Sequence, residues 1–398
     1  METFKYTKEE ADRVRLWMVA ILFLVFGAWV GQTAISIIVP PLIILNNTAP
    51  VDPKAVYIPT QESLSNSQIA ELFVLEAPSA LRAVGSTGFA KEIVDQRVVV
   101  TPPETLGKTR DGESILRIDY GYQVTGEDFG LQKYPELTLN VNGSCATEYG
   151  WFVVSSTDNV TDSSGTTPIV VDWYKVFGDT QSVSLFDARQ PIAYFLPGNS
   201  SIKGALGKSN ATWAAVVSST ERDSFTAGSD PWYLTDQQAN AKTGTTYQVR
   251  SARPVLSCWE DNVWSYKGHN STLTGLNSTQ LPGLGLSLGM QIIFAARLNR
   301  PMIYTVGSHL GLSALLSTST AVNQIFDAGA SSIQNDLTRL VQAAFVATSN
   351  ILTDTTLYPA NSDQQLQNWL DGVDGIGDFV VWTPDASALS MKVLIVIP

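Results

Sequence analysis

From Val51 to about Tyr266, apolar and polar positions alternate with a period of two. In "ILRIDYGYQVTG", Leu116, Ile118, Tyr120, Tyr122 and Val124 alternate with Arg117, Asp119, Gly121, Gln123 and Thr125. Such a segment suits an antiparallel strand with one buried face. "ELTLNVNG" repeats the pattern, and "GWFVVSS", "PIVVDWYKVFG", "QSVSLFD", "IAYFLPG", "TWAAVVSS", "TYQVRSA" and "VLSCWED" are further strand candidates. Gly, Pro, Asn and Asp clusters separate them, the spacing of a sandwich or barrel. One helical insert is predicted at "SNSQIAELFVLEAPSALRAV" and a polar loop at Ser155–Thr167. After about Leu281 the period changes. Ile333, Leu337, Leu340, Val341, Ala344, Phe345, Ile351 and Leu352 recur every three or four residues, which marks one face of a helix. "SLGMQIIFAARL" also reads as helix.

Two stretches break these periods. Leu16 to Leu45 is a run of thirty residues without Asp, Glu, Lys, Arg or His. A bilayer core needs about 20 helical residues, so a transmembrane helix is expected over residues 16–39, ending where Pro40 and Pro41 break it. The run exceeds the length of a signal-peptide core and carries no small-x-small cleavage site, so an uncleaved anchor is expected. Lys5, Lys8, Arg13 and Arg15 precede it, whereas only Lys54 lies in the next fifteen residues. The positive-inside rule then puts the N-terminus in the cytosol and the rest outside or in the lumen. The second stretch is "MKVLIVIP", Met391–Pro398. It reads as a final strand or as the start of a truncated second transmembrane helix.

The segmentation that follows is a cytosolic tail at 1–15, a transmembrane helix at 16–39, a β-rich glycosylated ectodomain at 46–280, its helical part at 281–388, and the terminal strand or second span at 389–398. The fold class is α+β, with a sandwich- or barrel-like β region and a C-terminal helical layer.

Charged residues are only 16% of the 398, and the formal net charge is −12. The acids and bases of the first fifteen residues cancel, so the negative charge belongs to the remainder. A surface of that sign repels phosphate backbones, and no nucleic-acid partner is expected. The expected partners are the lipid bilayer and a carbohydrate or protein ligand at the ectodomain. Seven N-x-[ST] sequons follow the apolar run, at Asn46, Asn142, Asn159, Asn199, Asn210, Asn270 and Asn277, and none precedes it. They point to a glycosylated ectodomain. Cys145 and Cys258 are the only cysteines. In an oxidising compartment such a pair forms a disulfide.

Catalytic motifs are weak. "GLSLG" has the G-x-S-x-G form around Ser287, but His309 follows too soon, and no acid lies between them. It reads as a glycine-rich helix entry. "GALGKS" lacks the leading glycine of a phosphate loop, because position 202 is Ile202. "DGVDGIGD" brings Asp371, Asp374 and Asp378 together outside any EF-hand register and reads as a turn. With two histidines and one cysteine pair, no metal centre or cofactor is expected. Glu127/Asp128 and Glu260/Asp261 are paired acids, but adjacent residues on a strand point apart. In "CWEDNVWSYKG", Trp259, Trp264 and Tyr266 lie near Glu260 and Asp261. These five residues are the candidate ligand-binding set, set against a core of tryptophans packed beneath the disulfide.

At "RPVLSCWEDNVWSYKGHNST", together with this layout, the chain resembles the uncharacterised membrane proteins of filamentous fungi. The resemblance implies an anchor, a glycosylated ectodomain and often a second span near the C-terminus. It implies no activity and no catalytic residues. The expected function is a membrane-anchored glycoprotein whose ectodomain is a binding or structural module. The alternative is a membrane-tethered, carbohydrate-active enzyme using paired carboxylates.

Overall fold

The computed structural model describes residues 17–27, 29, 43–51, 56–59, 66–88, 91–162, 165–184, 192–198, 212–220, 222–238, 244–276, 280–320, 325–357, 366–368 and 378–389. It divides into two compact units, Val51–Val380 and a second made of Met1–Pro50 with Val381–Pro398.

In the smaller unit, residues 17–27 form helix α1, with apolar side chains such as Trp17, Leu22, Phe23 and Leu24 exposed. No described helix is long and apolar enough to cross a membrane. Most of the rest of the apolar run, residues 28 and 30–42, lies outside the described residues, as does Met391–Pro398. Strand β1 (Ile43–Pro50) pairs with β18 (Val380–Leu389).

The larger unit is α+β with a β-rich body. Its main sheet has the order β10-β11-β15-β6-β5-β3, with β4 also on β5 and β16 also on β15. These strands are Ile192–Pro197 (β10), Trp213–Ser218 (β11), Val255–Tyr266 (β15), Thr138–Glu148 (β6), Ser114–Thr125 (β5), Val98–Val100 (β3), Glu104–Lys108 (β4) and His269–Ser271 (β16). Every pairing in it is antiparallel. The period-two reading of β5 holds: Ile118, Tyr120, Tyr122 and Val124 are buried, and Arg117, Asp119, Gly121 and Gln123 are not. Three smaller sheets complete the strands. They are β7-β8-β9 (Phe152–Asp162, Gly165–Val176, Asp179–Ser184), β12-β14-β13 (Asp223–Ser224, Tyr247–Val249, Thr235–Gln237) and β17-β2 (Leu366–Asn368, Tyr57–Pro59). Among the described residues, none of the sheets closes on itself, so the barrel alternative is not formed there.

The buried face of the main sheet is covered by helices. On it pack α3 (Lys91–Arg97), α4 (Leu288–Arg297), α5 (Met302–Leu310) and α6 (Ile333–Ser349), and on these helices pack α2 (Asn66–Ser86) and α7 (Ile351–Asp354). Phe345 of α6 meets Tyr122 of β5 edge to face at 6.2 Å. Phe294 of α4, Trp264 of β15 and Phe129 form a three-ring contact with centroids 5.0–5.8 Å apart. Gly307 of α5 leaves room for the Phe195 ring on β10, where a Cβ would come within 2.6 Å. The layer thus combines the predicted C-terminal helices with α2 and α3 from the N-terminal side.

Among the described residues, the opposite face is covered at one end only. Tyr174, Val176 and Phe177 pack there on Ala214, Val216 and Val255. One expectation fails in this region. Ser155–Thr167 is not a polar loop: most of it pairs in register across the β7–β8 hairpin, out to Asp162↔Gly165. Its β-branched Val and Thr residues favour strand, but both faces near the tip are exposed, so no apolar alternation marked it.

Cys145 and Cys258 are direct cross-strand partners on β6 and β15 and form a disulfide with Cα atoms 4.1 Å apart. The row runs Trp213–Cys258–Cys145–Ile118 across four strands. Two residues along, the row is Tyr120–Gly143–Glu260. A Cβ on Gly143 would lie 2.0 Å from Cζ of Tyr120, so the ring crosses β6 through the space that glycine leaves. Two outcomes are expected. The Cys145→Ser/Cys258→Ser double variant loses roughly 2–5 kcal/mol in denaturant unfolding. Gly143→Ala loses about 1–3 kcal/mol or more, because the tyrosine must move.

Candidate functional site

The residues singled out on β15 separate by parity. Glu260, Trp264 and Tyr266 share the buried face, whereas Asp261 and Trp259 project from the other. Alternation along a strand forces this division. The candidate ligand set is therefore two groups on opposite sides of one sheet.

On the inside, Tyr120 donates its hydroxyl to Glu260 Oε2 at 2.8 Å, and Trp213 Nε1 donates to the same hydroxyl at 3.2 Å. Among the described residues, Glu260 Oε1 and Asn262 Oδ1 make no well-aligned hydrogen bond. The Asn262 side chain nonetheless lies close enough to ease the Glu260 charge. Burial dominates and pushes the Glu260 carboxyl up to about 7, against the lowering effects of Tyr120 and Asn262. No second carboxylate contributes to that shift. A proton on Oε1 would supply the donor that these two buried acceptors lack. Burial likewise raises the Tyr120 hydroxyl well above its ordinary value.

The outer face presents the row Gly121–Asn142–Asp261. Asn142 and Asp261 are exposed, and Trp259, one position before Glu260, is half-buried. A shallow trough runs beside this row, lined by Arg97, Asp119, Gly121, Gln123, Asn140 and Asn142. Arg117 holds Asp119 through two nitrogens at 2.9 and 3.0 Å, and Ser144 donates to Asp119 Oδ1 at 2.5 Å. Of the remaining sequons, Asn159 on β7 and Asn270 on β16 are exposed, and Asn46 falls within β1. Asn199, Asn210 and Asn277 lie outside the described residues.

The weak motifs take structural places where they are described. Ser287 is the N-cap of α4, its hydroxyl accepting from Met290 N at 3.3 Å. Asp378 pairs with Lys133 at 2.9 Å. Asp128 accepts from Thr125 N and pairs with Arg97. Asp371, Asp374 and the "GALGKS" run lie outside the described residues. Among the described residues, no three His, Cys, Asp or Glu side chains converge as metal ligands.

Sequence reading missed three buried polar clusters. Asp336 of α6 accepts from Tyr233 Oη, Ser317 N and Ser317 Oγ at 2.5, 2.8 and 2.9 Å. Asp230 accepts from Ile333 N, at the start of α6, at 3.0 Å. Burial raises both acids, Asp230 to about 7 and Asp336 to about 6. Second, Arg253 is nearly buried and binds Glu113 Oε1 at 3.1 Å and Pro231 O at 3.1 Å. Third, Arg297 bonds Glu76 and lies 3.9 Å from Asp354, while His309 Nε2 lies 3.1 Å from Glu76. This last cluster joins α2, α4, α5 and α7. Nothing in a linear pattern pairs residues more than 200 positions apart, such as Glu76 and Arg297.

Among the described residues, the geometry defines an antiparallel sheet with one helix-covered face and one face left partly open. A family model for a domain of unknown function, DUF8406, matches residues 77–381. That is most of the chain, and the chain belongs to this family. No curated protein and no solved structure matches it. The matched segment nearly coincides with the larger compact unit and leaves out α1 and the apolar C-terminal run.

The buried acids set a pH dependence. Glu260, Asp230 and Asp336 hold their protons more tightly folded than unfolded, where carboxyls titrate near about 4. Their contribution is therefore complete below about pH 4 and is lost as pH rises through about 6–7. Glu76 acts in the other sense. Burial raises it, but His309 and Arg297 outweigh burial and hold it low. Thermal unfolding of the full chain in detergent at pH 5 to 8 is expected to show a falling Tm. Glu260→Gln, which mimics the neutral acid, is expected to flatten that slope. An unchanged slope would mean that Glu260 is ionised in the fold.

Proposed function

We propose that this chain is a membrane-anchored glycoprotein with a cytosolic N-terminus. Its ectodomain, luminal or extracellular, acts as a binding or structural module and not as a catalyst. The reading carries over the resemblance to the fungal membrane proteins, with the transmembrane helix at 16–39. One observation carries it. Glu260 is sealed between the sheet and the helices on Tyr120, while Asp261 leaves the opposite face. A glycosidase needs two carboxylates facing each other about 5–10 Å apart across a substrate cleft. These two residues lack that arrangement.

Other features support the compartment. The disulfide suits an oxidising lumen. Asn142, Asn159 and Asn270 are exposed acceptors. The apolar side chains of α1 face outward along its described length, as they do on a helix that meets lipid.

The test has two parts. The chain is expressed in sealed microsomes and treated with protease from outside. The ectodomain is expected to be protected and to shift in mobility with endoglycosidase; a digested, unshifted ectodomain overturns the topology. The solubilised chain is then incubated with β-glucan, mannan and chitin. Release of reducing ends that Glu260→Gln or Asp261→Asn abolishes would establish the enzyme alternative instead.

A further inference from the structure

Among the described residues, β7 is the longest edge strand of the larger unit, with β8 on one side only. β9 pairs with β8 only from Val171 to Val176, so toward the tip the hairpin is two strands wide and, among the described residues, open at both edges. An open edge is a row of unpaired N–H and C=O groups to which another strand can add. The two edges are protected differently. β8 carries Pro168, exposed and directly opposite Asn159. Proline has no N–H, so it fits a strand only where its nitrogen faces out of the ladder. The two residues of an antiparallel pair exchange both bonds or neither. Asn159 therefore turns its own N–H and C=O to the open edge of β7, and Thr157 and Thr161, two positions to either side, do the same. β7 contains no Pro, Lys or Arg, and alternation puts Asp158 on the face away from Asn159. Its bulge lies at the base, between Phe152 and Val154, where Val153 and Val154 are exposed. What stands toward the tip is the acceptor triplet Asn159-Val160-Thr161, with Asn159 and Thr161 exposed.

We propose that an N-glycan on Asn159 shields the open edge of β7 against strand addition by a second copy of this chain. The proposal rests on the luminal reading above. A strand adding to this edge would place a residue directly opposite Asn159, with Cβ atoms about 4.5–5.5 Å apart. The first N-acetylglucosamine and the branches beyond it take that space. A second copy is the partner to be excluded, because its β7 presents the same open edge and two identical edges can pair about a twofold axis. Both edges near the tip are then guarded, β8 by Pro168 and β7 by its sugar. In the covalent step, Asn159 Nδ2 bonds to the anomeric carbon of a polyprenyl-diphosphate-linked oligosaccharide. The bond from that carbon to the diphosphate oxygen breaks, the diphosphate leaves, and one amide proton is lost.

The full chain is produced in a eukaryotic secretory host and solubilised in detergent. Glycopeptide mass spectrometry reads each sequon, and analytical ultracentrifugation reads self-association. Asn159 is expected to be occupied. Asn159→Gln is expected to self-associate about tenfold more tightly than the wild type. Thr161→Ala, which keeps the asparagine but loses the acceptor triplet, should match it, whereas Asn142→Gln and Asn270→Gln should not. Thr157→Pro removes an outward N–H from the same edge, and added to Asn159→Gln it should restore wild-type behaviour. If Asn142 and Asn270 carry glycans and Asn159 does not, the luminal reading stands and this proposal is overturned. Occupancy of Asn159 with no rise in association in either variant overturns the shielding. Association that Thr157→Pro leaves intact overturns its assignment to the β7 edge. Absence of glycan at every sequon overturns the luminal reading itself.

Discussion

The pairing of β6 with β15 constrains most of the larger unit. Eleven residues of each strand lie in unbroken antiparallel register, Val255 opposite Glu148 through Ser265 opposite Thr138. The disulfide lies inside that register, on directly opposed residues, so a slip by one residue would misalign it and turn every side chain to the wrong face. The same register lays Tyr120 across Gly143 toward Glu260 and sets Asn142 beside Asp261. Interior and open face are consequences of one alignment.

Several acids lie within the interior. Glu260 and Asp336 are buried and Asp230 is half-buried, none with a salt-bridge partner among the described residues, and each is held by hydroxyl, carboxamide or backbone donors. A buried carboxylate charge is costly, and the protonated form avoids that cost. Two arginines of the interior are paired with acids: Arg253 with Glu113, and Arg297 with Glu76 and Asp354. Removing one member of such a pair leaves the other buried and uncompensated. These clusters join segments distant in sequence and fix how the helices meet.

Much of the architecture was legible in the chain, because one buried face per element leaves a periodic trace. Tyr120, Tyr122 and Val124 announced β5; Leu337, Leu340 and Val341 announced α6; and Pro78 did not prevent α2. The trace fails where neither face is buried, as near the tip of the β7–β8 hairpin, and where strands are too short to show a period, as in β3. The candidate site was half legible. The cluster of aromatics and acids around Cys258 stood out, but its division into an interior group and an exposed group depends on which face of β15 meets the helices.

By itself the sequence determined the longer strands of the main sheet, helices α2, α4 and α6, the positions of the sequons and the presence of a single pair of cysteines. Those properties depend on residue identity and local spacing. Only the tertiary structure decided that Glu260 is an interior acid while Asp261 shares the open face with Asn142. It alone joined Glu76 to Arg297 and Tyr233 to Asp336. The reason is physical. Burial and cross-strand neighbours are set by contacts between distant segments, and no window along the chain contains both partners.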